Sequence, residues 1–426
     1  MKKAAKKGFG MGWALIFYAL VCFFSSSAVA SSMNIAAGIL EKNHGWNAAL
    51  LTSMISLCSV ANIVAGFVFG RLVVKRSAKK LSIVALVAYI VSLLLLGSAK
   101  NLIVFGIFMI LAGGLSNGIG YQIAPVMISR WFPRRKGVVM GIVTIGIPLC
   151  NGFATMIYSA GYRIGGEFGG FAIYIPFALV SLLVLLFFLS DNPRDRGYLP
   201  DNGAGVEEAE EKPAAEKGKS IWTTRKLLAT PQVWIHGITL GIQLLFAGGL
   251  MVQLYPRLVE IGFDDGTAQL MMMASGLLAV PCSYLCGLMD AKIGARKAAC
   301  SSYICGILAM ILNLTGNTVC VWLSLVCIGM VVGGAANWPA SLCIEEFGDS
   351  FAEGYGIIQP MIQVVGAVGP VFFASIFSIS GSYRASYICG AVLMAVGLVA
   401  YLVLAKAGFV KTEEEKAAKR TAGHRA

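Results

Sequence analysis

The chain has 426 residues, 57% of them hydrophobic and only 13% charged, and a mean hydropathy of +0.76. These values lie outside the range of soluble domains and leave no room for a separate soluble catalytic domain. The net charge of +13 would fit a nucleic-acid binder only if Lys and Arg clustered on a folded soluble face, whereas here they follow the ends of apolar runs.

A hydrocarbon core about 30 Å thick takes about 20 apolar helical residues to cross. Twelve segments suit that length, at 12–39, 48–70, 81–99, 102–128, 138–161 and 171–189, then at 232–256, 267–289, 299–316, 319–343, 355–378 and 385–405. They are numbered spans 1 to 12 below. Lipid offers backbone N–H and C=O groups no partner, so each span is expected to be a helix. The fold class that follows is an all-α integral membrane protein of twelve transmembrane helices in two six-helix bundles. The bundles are 1–190 and 232–406, with a linker at 191–231 and a tail at 407–426.

Span 1 follows Lys2, Lys3, Lys6 and Lys7 and contains Ala28-Val29-Ala30, which imitates a signal peptide with its cleavage site. Cleavage there would leave eleven spans and break the six-plus-six balance. The same span carries the serines of 25–32 and Asn34, the first candidate for solute contact. Span 4 carries Asn117, Tyr121 and Gln122, and span 5 carries Gly146-Ile147-Pro148, where a bend is expected. The linker, with Val206-Glu207-Glu208-Ala209-Glu210-Glu211-Lys212-Pro213, has the composition of a solvated strap. In the second half, Gln243 lies in span 7, Asn337, Trp338 and Pro339 in span 10, and Gln359 and Gln363 in span 11, followed by Gly366-Ala-Val-Gly369-Pro370. Gln359 and Gln363 stand four residues apart on one helical face, which suits two amides aimed at one ligand.

With an inside N-terminus, all of the 34 Lys and Arg except Lys42, Lys100, Arg163, Arg257 and Arg384 fall on one side, so both termini and the linker are expected to be cytoplasmic. The eleven cysteines lie in or beside apolar spans without CxxC spacing and read as small buried hydrophobes, and the three histidines are too scattered for a metal site. No mid-span carboxylate occurs, so a central proton relay is not expected. His236, near one end of span 7, reads as a packing residue, and no phosphate-binding Gly-Lys-Ser/Thr loop is present, so neither a nucleotide nor any other cofactor is expected.

The halves repeat one another. Gly66-Phe-Val-Phe-Gly70-Arg71-Leu-Val-Val-Lys75-Arg76 and Gly287-Leu-Met-Asp290-Ala291-Lys292-Ile-Gly294-Ala-Arg296-Lys297 share their glycine, first basic and paired basic positions at an offset of 221 residues. Gly113-Gly114 and Gly333-Gly334 recur at an offset of 220. Nearly equal offsets half a chain apart indicate duplication, the arrangement used for alternating access.

On these two loops the chain resembles the major facilitator superfamily over nearly its whole length. Its signature Gly-x-x-x-Asp-basic-x-Gly-x-basic-basic is degenerate here: the Asp falls on Gly70 and Ala291, Asp290 lies one residue early, and Val73 replaces the second Gly. The resemblance implies gating through Arg71, Arg76, Lys292 and Arg296, with Pro148 and Pro370 as bends. Within that superfamily, His44-Gly45-Trp46, Arg130-Trp131-Phe132-Pro133-Arg134-Arg135-Lys136-Gly137 and Leu228-Ala229-Thr230-Pro231-Gln232-Val233-Trp234 resemble the oxalate/formate antiporter and monocarboxylate carrier branch. The cations that hold oxalate in that branch correspond to Ser283 and Ile362, so a dicarboxylate site of that type is not expected.

The resemblance implies that spans 1, 4, 7 and 10 line a central cavity, with Asn34, Tyr121, Gln122, Gln243, Asn337, Trp338, Gln359 and Gln363 as its solute contacts. The expected function is transport of a small organic solute, a monocarboxylate or related metabolite, by a monomer in the plasma (inner) membrane, surrounded by lipid and with no nucleic acid partner. The alternative is efflux of a neutral or amphipathic compound. An enzyme would need His, Asp or Cys clustered at one interface.

Overall fold

In a computed structural model the placement of residues 11–46, 48–203 and 222–415 is described. The N-terminal lysines, the acidic run of the linker and the last residues of the tail lie outside that range. All regular structure among the described residues is helical. In chain order the helices are α1 (Met11–His44), α2 (Ala48–Lys75), α3 (Ala78–Gly97), α4 (Leu102–Asn117), a π-helical segment (Gly118–Ile123), α5 (Ala124–Trp131), α6 (Lys136–Val143), α7 (Gly146–Ala172) and α8 (Ile175–Phe187). The short linker helix α9 (Thr224–Ala229) precedes α10 (Pro231–Ile261), α11 (Asp265–Ile293), α12 (Ala295–Leu314), α13 (Thr318–Ala335), α14 (Asn337–Phe347), α15 (Phe351–Ala367), α16 (Gly369–Ser380) and α17 (Tyr383–Leu404).

Eleven of the helical stretches are long and apolar enough to cross a membrane, and the thirteen-residue α8 is the short remainder of span 6. Span 6 is short because the turn before it is folded into α7. Gly165 and Gly166 leave helical geometry there, Gly166 at φ +60°, a conformation that favours glycine. Spans 4, 5, 10 and 11 are each built from two pieces: the breaks fall at the π segment, at 144–145, at Ala336 and at Val368. Pro125, Pro148, Pro339 and Pro370 sit in the first turn of the piece that follows, where a missing N–H removes no intrahelical bond. The breaks in spans 5 and 11 thus fall within four residues of Pro148 and Pro370, where bends are expected.

The duplication is visible in the packing. Span 1 packs on span 5 and span 7 on span 11; span 2 packs on span 4 and span 8 on span 10; span 3 packs on span 4 and span 9 on span 10. Glycine sets the first of these pairs. A Cβ on Gly146 would strike the Leu20 carbonyl of α1, and one on Gly369 would strike the Leu245 carbonyl of α10. Both positions let two backbones approach without side chains between them.

The linker and tail meet at one face of the bundle, called the linker face below. Trp222 donates from Nε1 to Glu414 at 3.0 Å and lies edge-on against Phe347 and Phe409. His236 is buried beneath Phe409, with its ring 5.2 Å away. At the far face, Glu167 holds His44 and Asn43 at 2.7 and 2.9 Å, and the buried Arg257 pairs with Glu260 at 2.7 Å and Asn313 at 3.0 Å.

Candidate functional site

A helix face turned to lipid carries apolar side chains, as Val84, Ile103 and Val371 do. One face of α1 departs from this. Ser27, Ser31, Asn34, Gly38 and Glu41 follow one another at helical spacing and are partly or fully exposed, so this face of α1 is polar and accessible. Ser31 donates to Asn151 of α7 at 2.8 Å, and Gly248 on α10 has nothing near its would-be Cβ.

At the linker face the two halves close on each other along two seams. In the first, Gly70 of α2 lies backbone to backbone on Gly356 of α15, and a Cβ on Gly66 would come within 3.0 Å of Pro360. In the second, Gly141 of α6 lies against Gly287 of α11. Ser283 of α11 donates to the Gly141 carbonyl at 3.1 Å and shares a 2.8 Å hydrogen bond with Thr144. A methyl group on Gly137 would collide with the Asp290 carboxylate, and Lys136 donates across to the Ser341 carbonyl at 3.3 Å.

The polar residues expected at the centre divide into three groups. The first borders the closed seams. Gln122, in the π segment, is 1% exposed with its amide against Gly66 and Pro360, and neither its oxygen nor its nitrogen has a partner. Gln359 is 2% exposed with an unpartnered Oε1. Gln363 donates to Asn117 of α4 at 3.2 Å, joining the halves, and its Oε1 is also unpartnered. Tyr121 is half-buried, edge-on to Phe23 with ring centroids 5.4 Å apart.

The second group lies in span 10. Asn337 is fully buried, accepts from Ser341 at 3.4 Å and keeps an unpartnered Nδ2. Trp338 is also fully buried, lies over Gly334, and has an unpartnered Nε1. An unsatisfied buried polar group costs about 1–3 kcal/mol, so each of these atoms is a place where a further partner would be favourable. Asn34 stands apart from them, exposed on the polar face of α1.

The third group is a correction. Gln243 is 1% exposed and donates to the Ala299 carbonyl of α12 at 3.2 Å. It ties span 7 to span 9, so its amide N–H is taken by a neighbouring helix.

The gating expectation needs a second correction. Arg71, Arg76 and Lys292 are exposed and form no ion pair among the described residues, and Arg296 lies over the Tyr401 ring at 5.8 Å. The seams are closed by glycine contacts and by Asp290, Lys136, Ser283 and Thr144, none of which the sequence reading put in the gate. The signal was there: Gly66 and Gly70, and Gly137 and Gly141, are small residues four apart on membrane helices, a pattern that brings helices together. Glu345 and Glu346 are engaged elsewhere, with the Ala295 amide at 3.2 Å and the Gly408 amide at 2.9 Å.

Comparison with known proteins places this geometry. The family described as Major Facilitator Superfamily matches residues 15–370. No curated protein matches the sequence. Among solved structures, the chain is similar to the proton:xylose symporter XylE bound to 6-bromo-6-deoxy-D-glucose, at 14% identity and a TM-score of 0.70, over 93% of this chain and 95% of that one. A double Trp mutant of XylE gives 15% identity and 0.70 over 94% and 97%. The human organic anion transporter MFSD10 (TETRAN) gives 13% and 0.64 over 92% and 98%. At these identities the likeness concerns the fold.

Proposed function

The chain belongs to the major facilitator superfamily, and on that premise we propose that it carries a small monocarboxylate or a chemically related metabolite. Transport of small solutes by alternating access comes with the family; the solute class is our reading. The observation that carries it is the set of unpartnered donors and acceptors on Gln122, Asn337, Trp338, Gln359 and Gln363. The unpartnered N–H groups of Gln122, Asn337 and Trp338 are donors for one carboxylate without a fixed cation, Tyr121 adds a hydroxyl, and the free oxygens of Gln359 and Gln363 would accept from a hydroxyl elsewhere on the solute. Ser283 and Ile362 stand where a dicarboxylate carrier needs positive charge, which favours a solute with a single carboxylate.

In this reading the halves 1–190 and 232–406 are the two moving bodies. The linker face is cytoplasmic, because the basic residues gather there. The structure then corresponds to a carrier open to the outside and shut on the inside. The kinks at Pro148 and Pro370 are the points about which spans 5 and 11 bend, and Asp290 with Lys136 takes the gating role assigned to Arg71, Arg76, Lys292 and Arg296. The protein acts as a monomer of the plasma (inner) membrane.

The test is uptake of short monocarboxylates into proteoliposomes, with thermal-shift binding in detergent. Gln359→Ala and Tyr121→Phe are expected to lower the affinity for the same compound at least tenfold. Binding of uncharged metabolites with no response to any carboxylate would replace this reading with the second one, export of a neutral or amphipathic compound. That reading is favoured by the absence of Lys, Arg and His from the residues named above, and direction of flux separates the two.

A further inference from the structure

Beside the first seam lies a cleft that none of the proposed solute contacts lines. It has a volume of about 460 Å³, within the range of small-molecule sites. One wall is the last turns of α2, with Arg71, Val74 and Lys75; the other is Trp222, Thr223 and Leu227 of the linker together with Glu353 and Ile357 of α15. The second wall is fixed to the C-terminal half, since Trp222 is held by Glu414, Phe347 and Phe409 and is covered by Lys226 at 4.8 Å. The two walls thus belong to bodies that part when the linker face opens.

The duplication shows what the cleft lacks. In the second seam the chain places its own carboxylate, Asp290, between α11 and α6. At the offset of 221 Asp290 corresponds to Phe69, and its neighbour Ala291 to Gly70, so the first seam has no carboxylate at the matching place. Arg71 and Lys75, one helical turn apart, point two cations at this cleft, and neither forms an ion pair among the described residues. Glu353, on the opposite wall, is too far from both to form one. Apart from the cations the cleft is apolar, with Val74, Leu227, Ile357 and the Trp222 ring. The neighbouring flank of α2, Val68 and Leu72, is exposed and apolar, as a surface turned to lipid is.

We propose that this cleft binds an anionic phospholipid, with its phosphate on Arg71 and Lys75 and its chain along Val74, Leu227 and Ile357, and that the lipid holds the first seam shut. The phosphate supplies between α2 and the linker wall the negative charge that Asp290 supplies in the second seam. Guanidinium and ammonium groups at a membrane interface are suited to a lipid phosphate, and the apolar walls have no use for a free phosphate ion.

The experiment uses the full chain in nanodiscs of phosphatidylglycerol or of phosphatidylcholine alone. Native mass spectrometry counts retained phosphatidylglycerol, and hydrogen exchange follows residues 351–360. The wild type is expected to retain phosphatidylglycerol and to exchange several-fold more slowly at 351–360 in its presence. Arg71→Ala with Lys75→Ala, and separately Val74→Asp, should abolish both effects, while Lys292→Ala with Lys297→Ala, which removes the same charge elsewhere on the linker face, should preserve them. Equal retention in wild type and the Arg71/Lys75 variant overturns the site. Release of the lipid by inorganic phosphate, with unchanged exchange, overturns the lipid assignment in favour of a free anion. Retention without any exchange difference overturns the locking role.

Discussion

The two seams at the linker face descend from one ancestral contact and have diverged in kind. Between α2 and α15 the contact is glycine on glycine, Gly70 against Gly356, with no hydrogen bond between the two helices at that point. Between α6 and α11 the same backbone approach, Gly141 against Gly287, is supplemented by hydrogen bonds of Ser283 to Gly141 and Thr144 and by the Asp290 carboxylate packed on Gly137, while Lys136 donates to Ser341 of α14. Small residues give membrane helices close van der Waals packing, while hydroxyl and carboxylate contacts add direction and cost more to break. The lesson is that close approach is what the duplication preserved, whereas the polar content of each seam was free to change. The first seam is accordingly the one expected to part more easily.

The largest test of that comparison removes the approach itself. Gly356→Leu would drive a side chain into the α2 backbone at a cost of about 1–3 kcal/mol, lowering the closed population by roughly tenfold or more. Hydrogen exchange of 66–75 should rise accordingly and solute flux should fall. Gly141→Leu should do the same at the other seam, and unchanged exchange in either variant would show that the glycine contact is not what holds it. Next in size is Gln122→Leu, which removes an unpartnered amide from the first seam. Thermal stability should rise by about 1–2 kcal/mol while solute affinity drops at least tenfold. Gln243→Leu, which breaks the tie to Ala299, should lose about 1 kcal/mol and leave affinity unchanged. A thermal-shift titration reads both, and equal behaviour of the two glutamines would sink the distinction drawn between them.

Asp290→Asn sharpens the contrast at smaller scale. The buried Asp290 carboxylate has an unpartnered Oδ2, so the neutral amide should slow exchange at 137–144 by about threefold to tenfold, a gain of about 1 kcal/mol, with 66–75 unaffected. Smallest is Ser283→Ala, worth about 0.6 kcal/mol for one hydroxyl pair between membrane helices. If Ser283→Ala left exchange at 137–144 unchanged, the hydroxyl would have no special part in the seam.

The helices were legible in the sequence because the bilayer allows so few alternatives: an apolar run of that length, such as 81–99, has to satisfy its backbone internally. The breaks near Pro148 and Pro370 were legible for a similar reason, since proline has few places in a helix. Partners were harder. Gln243 and Gln359 look alike as polar residues within apolar spans, yet one is taken by Ala299 and the other keeps a bare carbonyl oxygen. Nothing local distinguishes them, because the helix face that meets a neighbour is set by packing across the whole bundle. Asp290 was set aside for standing one residue off a motif, although its carboxylate reaches Gly137 all the same. The π segment in span 4 had no local signal beyond Gly118 and Gly120.

That segment, Gly118–Ile123, fits one more residue into a turn than the helices on either side of it. Were it to rewind as ordinary α-helix, everything beyond it would swing by about 100° relative to what precedes it. Tyr121 and Gln122 would then trade orientations with their neighbours. Span 4 thus holds a slipped ratchet tooth at the height of the unpartnered amides, so that a change of winding, with no travel of the helix as a whole, could exchange which residue meets the cargo.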